Sequence, residues 1–587
     1  MKAYALEIQA HTGSGLTTLC FSTAPPLVTA PTDTPPNVTF DRRIIQPGNY
    51  QVQAFSNGQT YGKSQVGYGE IILRNDDGAL DYLMDYGFDG RPCVLRMRED
   101  DGSILPYPSG WKTVFTGTID HLEPEWPSYN DGTIVMSLRD GMAGLHVKLP
   151  LAVYAGNNAL PYGLEGTPSD LGGKTKPLLL GTCFNMSLQC VNTSLLIYAV
   201  SPPAGGLCDT VTDWDAIAAF DSVADFFGSV VSGPVITPLG TEYRRGGCSS
   251  TGITVYDSGV PLTQGADYTD ETDLQTNAPA AGYFRVLPAN GYVRLGSTPA
   301  GQVTCTASDN NGHDANTAGS IIRAVLRDYM QWDTSKFNIP ELAALDAACN
   351  IPIGQLITQD TYVDDLLDAI CNTVGACYYF DGLGVFRIFR VVDPATQNAD
   401  IPISGYTVGA FKANSSVAGS GAGGVPNYQI RLRQQKNYTV QTSGLAGSST
   451  AAWRSWVAQE YRENVSTSTS CKAKHLLSTE IALDTCFASD GQAESDRRLG
   501  LYSVRRDLLD LEIDTELWNT NPLMDWDAVS NFDAVTSFDQ LDFTAFRIGQ
   551  IVPLDLGGRF GYSPKNMLIT GITPDLLQKK LTLTVWG

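Results

Sequence analysis

The chain has 587 residues, 43% of them hydrophobic, which is too long for one core and enough for about three to five domains that each bury their own. Sixty-two acidic residues against 39 basic give a net charge of −23, which excludes nucleic-acid binding through phosphate neutralisation. MKAYALEIQAHTG carries no apolar leader and no stretch of about 18 apolar residues follows, so neither a secretory signal nor a membrane anchor is expected, and synthesis and folding are placed in the cytoplasm. Gly (58), Pro (32) and Tyr (26) are abundant and only 17% of residues are charged, a bias toward strands and turns.

The first segment reads as short strands separated by turns. In GYGEIILRNDDGALDYLMDYGFDGRPCVLRMRED, residues 70–73 form a strand, 75–78 a turn, 80–86 a short helix, 87–91 a turn and 92–97 a second strand. TVFTGTIDHLEPEW and GTIVMSLRDGMAGL continue the pattern, and residues 1–200 are assigned to a small barrel or sandwich with a helix beside it. Residues 205–310, with GITVYDSGVPLTQGADY, AGYFRVLP and GYVRLGSTPAGQVTCTASD, read as a separate β-rich insertion.

Residues 315–400 change character. SIIRAVLRDYM has helical spacing, and Val363, Leu366, Leu367, Ile370 and Val374 form an i, i+3, i+4, i+7, i+11 stripe with Asp364 and Asp365 at its start and Gly375 after its last turn. A β-hairpin over 376–380 and 385–391 follows, making an α+β unit. From 401 to 587 strands are expected again: QIRLRQQKNYTV and DLLDLEIDTELW alternate, and KKLTLTVWG turns Leu581, Leu583 and Val585 one way as a closing barrel does. The fold class expected is mainly β with α+β parts, multidomain.

One echo recurs, DWDAIAAFDSVADF at 213–226 and DWDAVSNFDAVTSFD at 525–539. The central Gly of a calcium loop is absent, which leaves two readings: plain surface loops, or loops that dock a neighbouring subunit through Trp214, Phe220, Trp526, Phe532 and Phe538.

No catalytic constellation emerges. The five histidines (His11, His121, His146, His313, His475) fit no HExxH or His-x-His pattern, GxSxG is absent, and GSGLTT at 13–18 lacks the Gly-Lys-Ser/Thr of a phosphate loop. Cys377 and His475 could make a thiol–imidazole pair, but Cys377 sits in an apolar strand-like run that suits a buried structural thiol. Glu123/Glu125 and Asp364/Asp365 are pairs an acidic chain supplies by chance. The twelve cysteines contain no CxxC, so reduced, buried thiols are expected, with a late disulfide or an unusual iron–sulfur site as alternatives. Neither a metal nor a cofactor is expected.

Several segments together, in order along nearly the whole chain, resemble the tail-tip hub proteins of long-tailed phages, in particular siphophage relatives of Mu-like transposable phages. These are GYGEIILRNDDGALDYLMDYGFDGRPCVLRM, LEGTPSDLGGKTKPLLLGTCFNMSLQCVNTSLLIYAV with its run Gly173 to Pro177, VYDSGVPLTQGADY, GYFRVLPANGYVRLGSTPAGQVTC, DDLLDAICNTVGACYYFDGLGVFRIFRVVDP and NMLITGITPDLLQKKLTLTVWG. The resemblance implies two hub-type β-barrels per chain, a homotrimer whose six barrels form a pseudo-six-fold ring, and a place in the virion at the tail tip. It implies as partners the distal tail protein or tail tube above, another hub protein and the central fibre below, and the tape measure protein within. An acidic surface suits a channel that DNA slides through without sticking, and suits solubility equally. A tail-associated cell-wall hydrolase and a receptor-binding carbohydrate module are the competing readings.

Overall fold

Alternating apolar and polar residues make strands of the first part of the chain. In the computed structural model, which describes residues 2–23, 27–55, 62, 64–99, 106–126, 131–149, 151–157, 163–202, 252–309, 316–398, 403–404, 408–415, 424–514, 546–577 and 580–587, these are β1 (Lys2–His11), β2 (Leu16–Ser22), β3 (Ile44–Gln53), β4 (Tyr68–Arg74), β5 (Pro92–Glu99), β6 (Lys112–Glu125) and β7 (Thr133–Arg139). They pair antiparallel in the order β2-β1-β5-β6-β7-β4-β3. Period two is plain in β1: Tyr4, Leu6 and Ile8 enter the main core, while Ala3 and Ala5 face a small second core with Phe40, Tyr107 and Trp111. The first three residues of GSGLTT make the hairpin turn between β1 and β2, closed by the Thr12 N–H donating to the Gly15 carbonyl at 2.9 Å, and the last three begin β2.

After β7 comes one helical turn, Gly141–Leu145, capped by Asp140. The two oxygens of Asp140 accept from the N–H groups of Met142 (3.0 Å) and Gly67 (2.9 Å). Burial pushes this carboxyl up to about 7 although both hydrogen bonds pull it down. A carboxyl raised above its unfolded value supports the fold while protonated. Its contribution is complete below about pH 4 and is lost as pH rises through 7, on the order of 4 kcal/mol in all. Asp140→Asn removes this titration and keeps one acceptor. The melting temperature of the variant is therefore expected to gain on the parent from about pH 4 to about pH 7 and to level off above it, and parallel curves would contradict the assignment.

The next strands are β8 (Leu178–Ser187), β9 (Gln189–Asn192), β10 (Ile197–Ala199), β11 (Thr254–Asp257), β12 (Val260–Pro261) and β13 (Thr263–Gln264). A short helix α1 (Glu271–Thr276), β14 (Tyr283–Leu287), β15 (Tyr292–Leu295) and β16 (Val303–Ser308) complete the run. Two sheets result, β9-β10-β15-β14-β13 and β12-β11-β16-β8, over cores that include Leu179, Cys183, Val255, Phe284 and Cys305 in one and Tyr154, Val191, Tyr268 and Tyr292 in the other. Residues 178–199, expected from their pattern to belong with 1–200, thus pair with strands from 254–308, so this sheet pair crosses the boundary expected at 200–205. Alternation shows that a strand is half-buried but not what covers it; here β16 pairs with β8 edge to edge, and Phe284, Val286, Val293 and Leu295 of the other sheet share the core of Leu179 and Cys183.

The α+β stretch follows the sequence closely. α2 (Ala318–Ala324) runs into a π-helical turn (Val325–Tyr329), then come α3 (Ile339–Ala348), β17 (Gly354–Ile357), α4 (Val363–Val374), β18 (Ala376–Phe380) and β19 (Phe386–Arg390). All five stripe residues of α4 are buried. Gly375 ends the helix at φ +68°, its N–H donating to the Cys371 carbonyl in a left-handed cap that favours glycine. β17 adds to the β8 edge, joining this stretch to the preceding sheet.

Beyond 401 the chain departs from an all-strand pattern. β20 (Ile403–Ser404), β21 (Val408–Ser415) and β22 (Gln429–Gln434) are followed by α5 (Ala451–Val457), β23 (Arg462–Thr467), α6 (Thr469–Lys474), β24 (Glu480–Asp484) and α7 (Gln492–Tyr502). The three helices escape a periodicity search for physical reasons. α5 and α6 are too short for two apolar turns, and α7 buries Glu494, Ser495 and Arg498 beside Leu501 and Tyr502, so its inward face is largely polar.

The last strands are β25 (Leu508–Asp514), β26 (Ile551–Asp555), β27 (Lys565–Asp575) and β28 (Lys580–Trp586). Leu581, Leu583 and Val585 are fully buried, as their alternation predicts. β27 splits its free edge: its first half pairs with β26, and Gly571 and Ile572 in its second half pair with Gln53 and Val52 of β3. The described pairings therefore form one open sheet, β2-β1-β5-β6-β7-β4-β3-β27-β28-β25-β21, with β26 and β20 branching from it, where two barrels were expected. The edge of β3 that barrel closure would need is occupied by β27. The architecture is mainly β with α+β parts, and one core runs from Leu6 and Ile71 through Leu367 and Ile370 to Leu583 and Trp586.

Candidate functional site

The most heavily charged buried place in the described protein lies where α7 meets the end of α4. Helix α4 ends with carbonyls that no later turn can satisfy, and arginines take them. Arg498 Nη2 donates to the Asn372 and Thr373 carbonyls (2.5 and 2.7 Å), and Arg390 Nε to that of Val374 (2.9 Å). Arg497 Nη1 donates to the Val391 carbonyl at 2.5 Å. Glu494 on α7 gathers all three guanidiniums: Arg497 at 2.7 Å, Arg498 at 2.6 Å, and Arg390 through Nη2. Burial pushes the Glu494 carboxyl up, but Arg498, Arg497 and Arg390 outweigh it and hold the group at about 2. The knot is a clamp between elements; most of its donors are spent on backbone and carboxylate, and Arg498 Nη1 is buried without a partner among the described residues.

The residues considered for catalysis are not brought together. Cys377 is buried, donates from Sγ to the Ala54 carbonyl at 2.7 Å and lies 3.3 Å from Ser64 Oγ. Burial raises its thiol well above the ordinary range. His475 ends α6, its N–H bonded to the Cys471 carbonyl, and is not a partner of Cys377. Glu123 Oε1 sits 3.0 Å from the exposed His121 ring, and Asp364 Oδ2 is 2.9 Å from His146 Nδ1, with Tyr362 stacked on that ring at 4.2 Å. Among the described residues no group of three or more His, Cys, Asp or Glu is placed to hold a metal, and no helix is long and apolar enough to cross a membrane. The ten described cysteines are free thiols. Trp214, Phe220, Trp526, Phe532 and Phe538 lie outside the described residues.

Surface apolar groups that pattern reading passed over offer contacts instead. Phe560 is 79% exposed in the turn Arg559–Gly561 and meets Phe411 of β21 edge-to-face at 5.7 Å. Leu476 and Leu477, just after α6, are 92% and 80% exposed. The available signal was a large apolar residue in a turn otherwise built from glycines, as in GGRFGY.

No family model matches the chain, and no curated protein matches it. Solved structures do. The 43 kDa tail protein of prophage MuSo2 from Shewanella oneidensis is 10% identical over 99% of this chain and 98% of its own, with a TM-score of 0.33. A tail protein from Neisseria meningitidis MC58 is 8% identical over 99% and 96%, with a TM-score of 0.34. An E. coli component of the type VI secretion system, described as structurally similar to T4 tail proteins gp27 and gp5, is 8% identical over 92% and 73%, at 0.30. Two of these three neighbours are tail proteins and the third is a secretion-system component likened to phage tail proteins.

Proposed function

We propose that the chain is a structural hub subunit of a phage tail tip, assembling as a homotrimer between the tail tube or distal tail ring and the central fibre and lining the exit channel. The observation that supports this best is the shared sheet. β3 from the start of the chain and β27 from its end are hydrogen-bonded neighbours, so both terminal regions build one broad wall, and the Glu494 clamp fixes a helical unit within the same fold. A wall of this kind transmits load and presents edges and apolar tips to neighbours, whereas a hydrolase needs a cleft with converging acid and base. The net charge of −23 suits a lining that does not retain DNA. The distal tail protein, a second hub protein, the central fibre and the tape measure protein are the partners proposed, and the virion tail tip is the place.

Light scattering and negative-stain electron microscopy of the purified chain test the reading. A ring of three times the chain mass is expected, and in labelled tails three copies at the tip. A monomer that clears peptidoglycan, or label along the tube, would overturn it. Phe560→Ser is expected to change the melting temperature of the isolated chain very little, by about 0.5 kcal/mol or less in stability, yet to weaken the assembly. Equal assembly by parent and variant would remove the Phe411–Phe560 patch from the interface.

A further inference from the structure

A cavity of about 160 Å³ opens where three parts of the chain meet, walled by Phe184 of β8, Gln355 of β17, Lys436 and Tyr438 after β22, Tyr461 before β23, and Asp484 at the end of β24. Its polar groups are unequally engaged. Asp484 is held by Arg433 Nε at 2.5 Å. The Tyr438 hydroxyl accepts from the Leu356 N–H at 3.0 Å, and Gln355 Oε1 takes the Cys486 thiol at 3.4 Å. Two donors are left. Gln355 Nε2 has no acceptor among the described residues, and the half-buried Lys436 ammonium, hydrogen-bonded to the Tyr461 hydroxyl, has further N–H groups but no carboxylate within ion-pairing distance among the described residues. Lys436 rests instead between two phenol rings, 5.3 Å from the centre of Tyr438 and 5.7 Å from that of Tyr461.

A partly desolvated cation without a counter-ion is unusual in a protein with a net charge of −23, because its own acidic side chains outnumber the cations they could neutralise. We propose that this cavity binds a small carboxylate, with Lys436 as the counter-ion, the Gln355 amide as second donor, and Phe184, Tyr438 and Tyr461 flanking the body of the ligand. One cation and one amide balance a single negative charge; a phosphate dianion would remain under-compensated beside Asp484 in a partly desolvated place. The volume admits a body no larger than an amino acid or a sugar acid. Because the walls come from β8, from β17 and from the β22–β24 sheet, a bound carboxylate bridges all three and stabilises their junction by mass action.

Phenylacetate and gluconate, each with one negative charge, and inorganic phosphate for comparison, are the probes, added to the full chain in calorimetric titration and thermal unfolding. Saturable binding of a carboxylate in the millimolar range, with a rise in melting temperature and a weaker response to phosphate, is the expected result. Lys436→Gln is expected to weaken binding about tenfold or more, Gln355→Leu to weaken it less, and Lys436→Arg to retain most of it. The unliganded melting temperature and circular dichroism of each variant report whether it folds; if Lys436→Gln does not, the Gln355→Leu and Lys436→Arg pair still decides. No saturable response to either carboxylate, an equal response in folded Lys436→Gln, or an equal response to phosphate would each overturn the proposal.

Discussion

Replacing Glu494 with Gln is expected to lower the apparent stability of the unit around α7 by about 3–5 kcal/mol, the cost of leaving buried charges unpaired. Three guanidiniums converge on that carboxylate, and Glu494 and Arg498 are almost wholly buried. Glutamine fills the same space and can still accept, so packing is preserved and the charge alone is removed. Thermal unfolding followed together with amide exchange is the measurement of choice in a chain of several units, because α7 and the end of α4 should lose protection first. The acid limb of the same experiment has a definite sign. A carboxyl held at about 2 stabilises the fold fully above its ordinary value of 4.5 and loses that contribution as pH falls toward 2. The parent is thus expected to lose stability on acidification in a way the Gln variant does not. A loss below about 1 kcal/mol would mean that solvent or other acids already balance the arginines.

Gly354→Ala is expected to be comparably severe through a different cause. A Cβ at Gly354 would overlap the Thr182 carbonyl oxygen, a backbone atom that cannot swing aside. On its other side the Gly354 N–H donates to the Cys486 carbonyl at 2.7 Å. Three chain segments cross at hydrogen-bonding distance there, and a single methyl must part at least one pair. Overpacking without a compliant neighbour costs about 1–3 kcal/mol or more, and the lost strand pairing adds to it. Ala at Gly447, where a Cβ would meet nothing within 4 Å, is the control and is expected to be nearly silent. Similar melting temperatures for the two variants would show that β8 and β17 separate without penalty.

The readable elements share one property: a clear local signature, either a regular apolar repeat or an apolar run ended by a turn. The α4 stripe ending at Gly375, the apolar run of β18 ended by the Asp381-Gly382 turn before β19, and the alternation of Leu581, Leu583 and Val585 each stand where their pattern places them. Elements that bury polar groups, or that borrow cover from a distant strand, were not legible. Helix α7 hides an ionic network instead of an apolar stripe, and β8 looks like part of the N-terminal sheet until β16 is seen beside it. The same limit applies to the carboxylate cavity. Lys436, Gln355 and Phe184 are far apart in sequence, and nothing local marks any of them as facing the other two. Phe560 could have been suspected from its glycine-rich turn; Leu476 and Leu477 could not, because a Leu pair after a short helix is ordinarily core.

The bond between β3 and β27 joins Gln53 to Gly571, about 520 positions apart. A ribosome adding about 5–20 residues per second needs roughly half a minute to two minutes to cover that distance. Throughout that interval the first seven strands wait with the β3 edge unpaired, and such an edge invites pairing with any passing strand. Two nascent copies on neighbouring ribosomes would offer each other the same edge. Correct maturation thus depends on the arrival of the final hairpin, and a chain truncated before β27 is expected to aggregate even though most of its strands are already made.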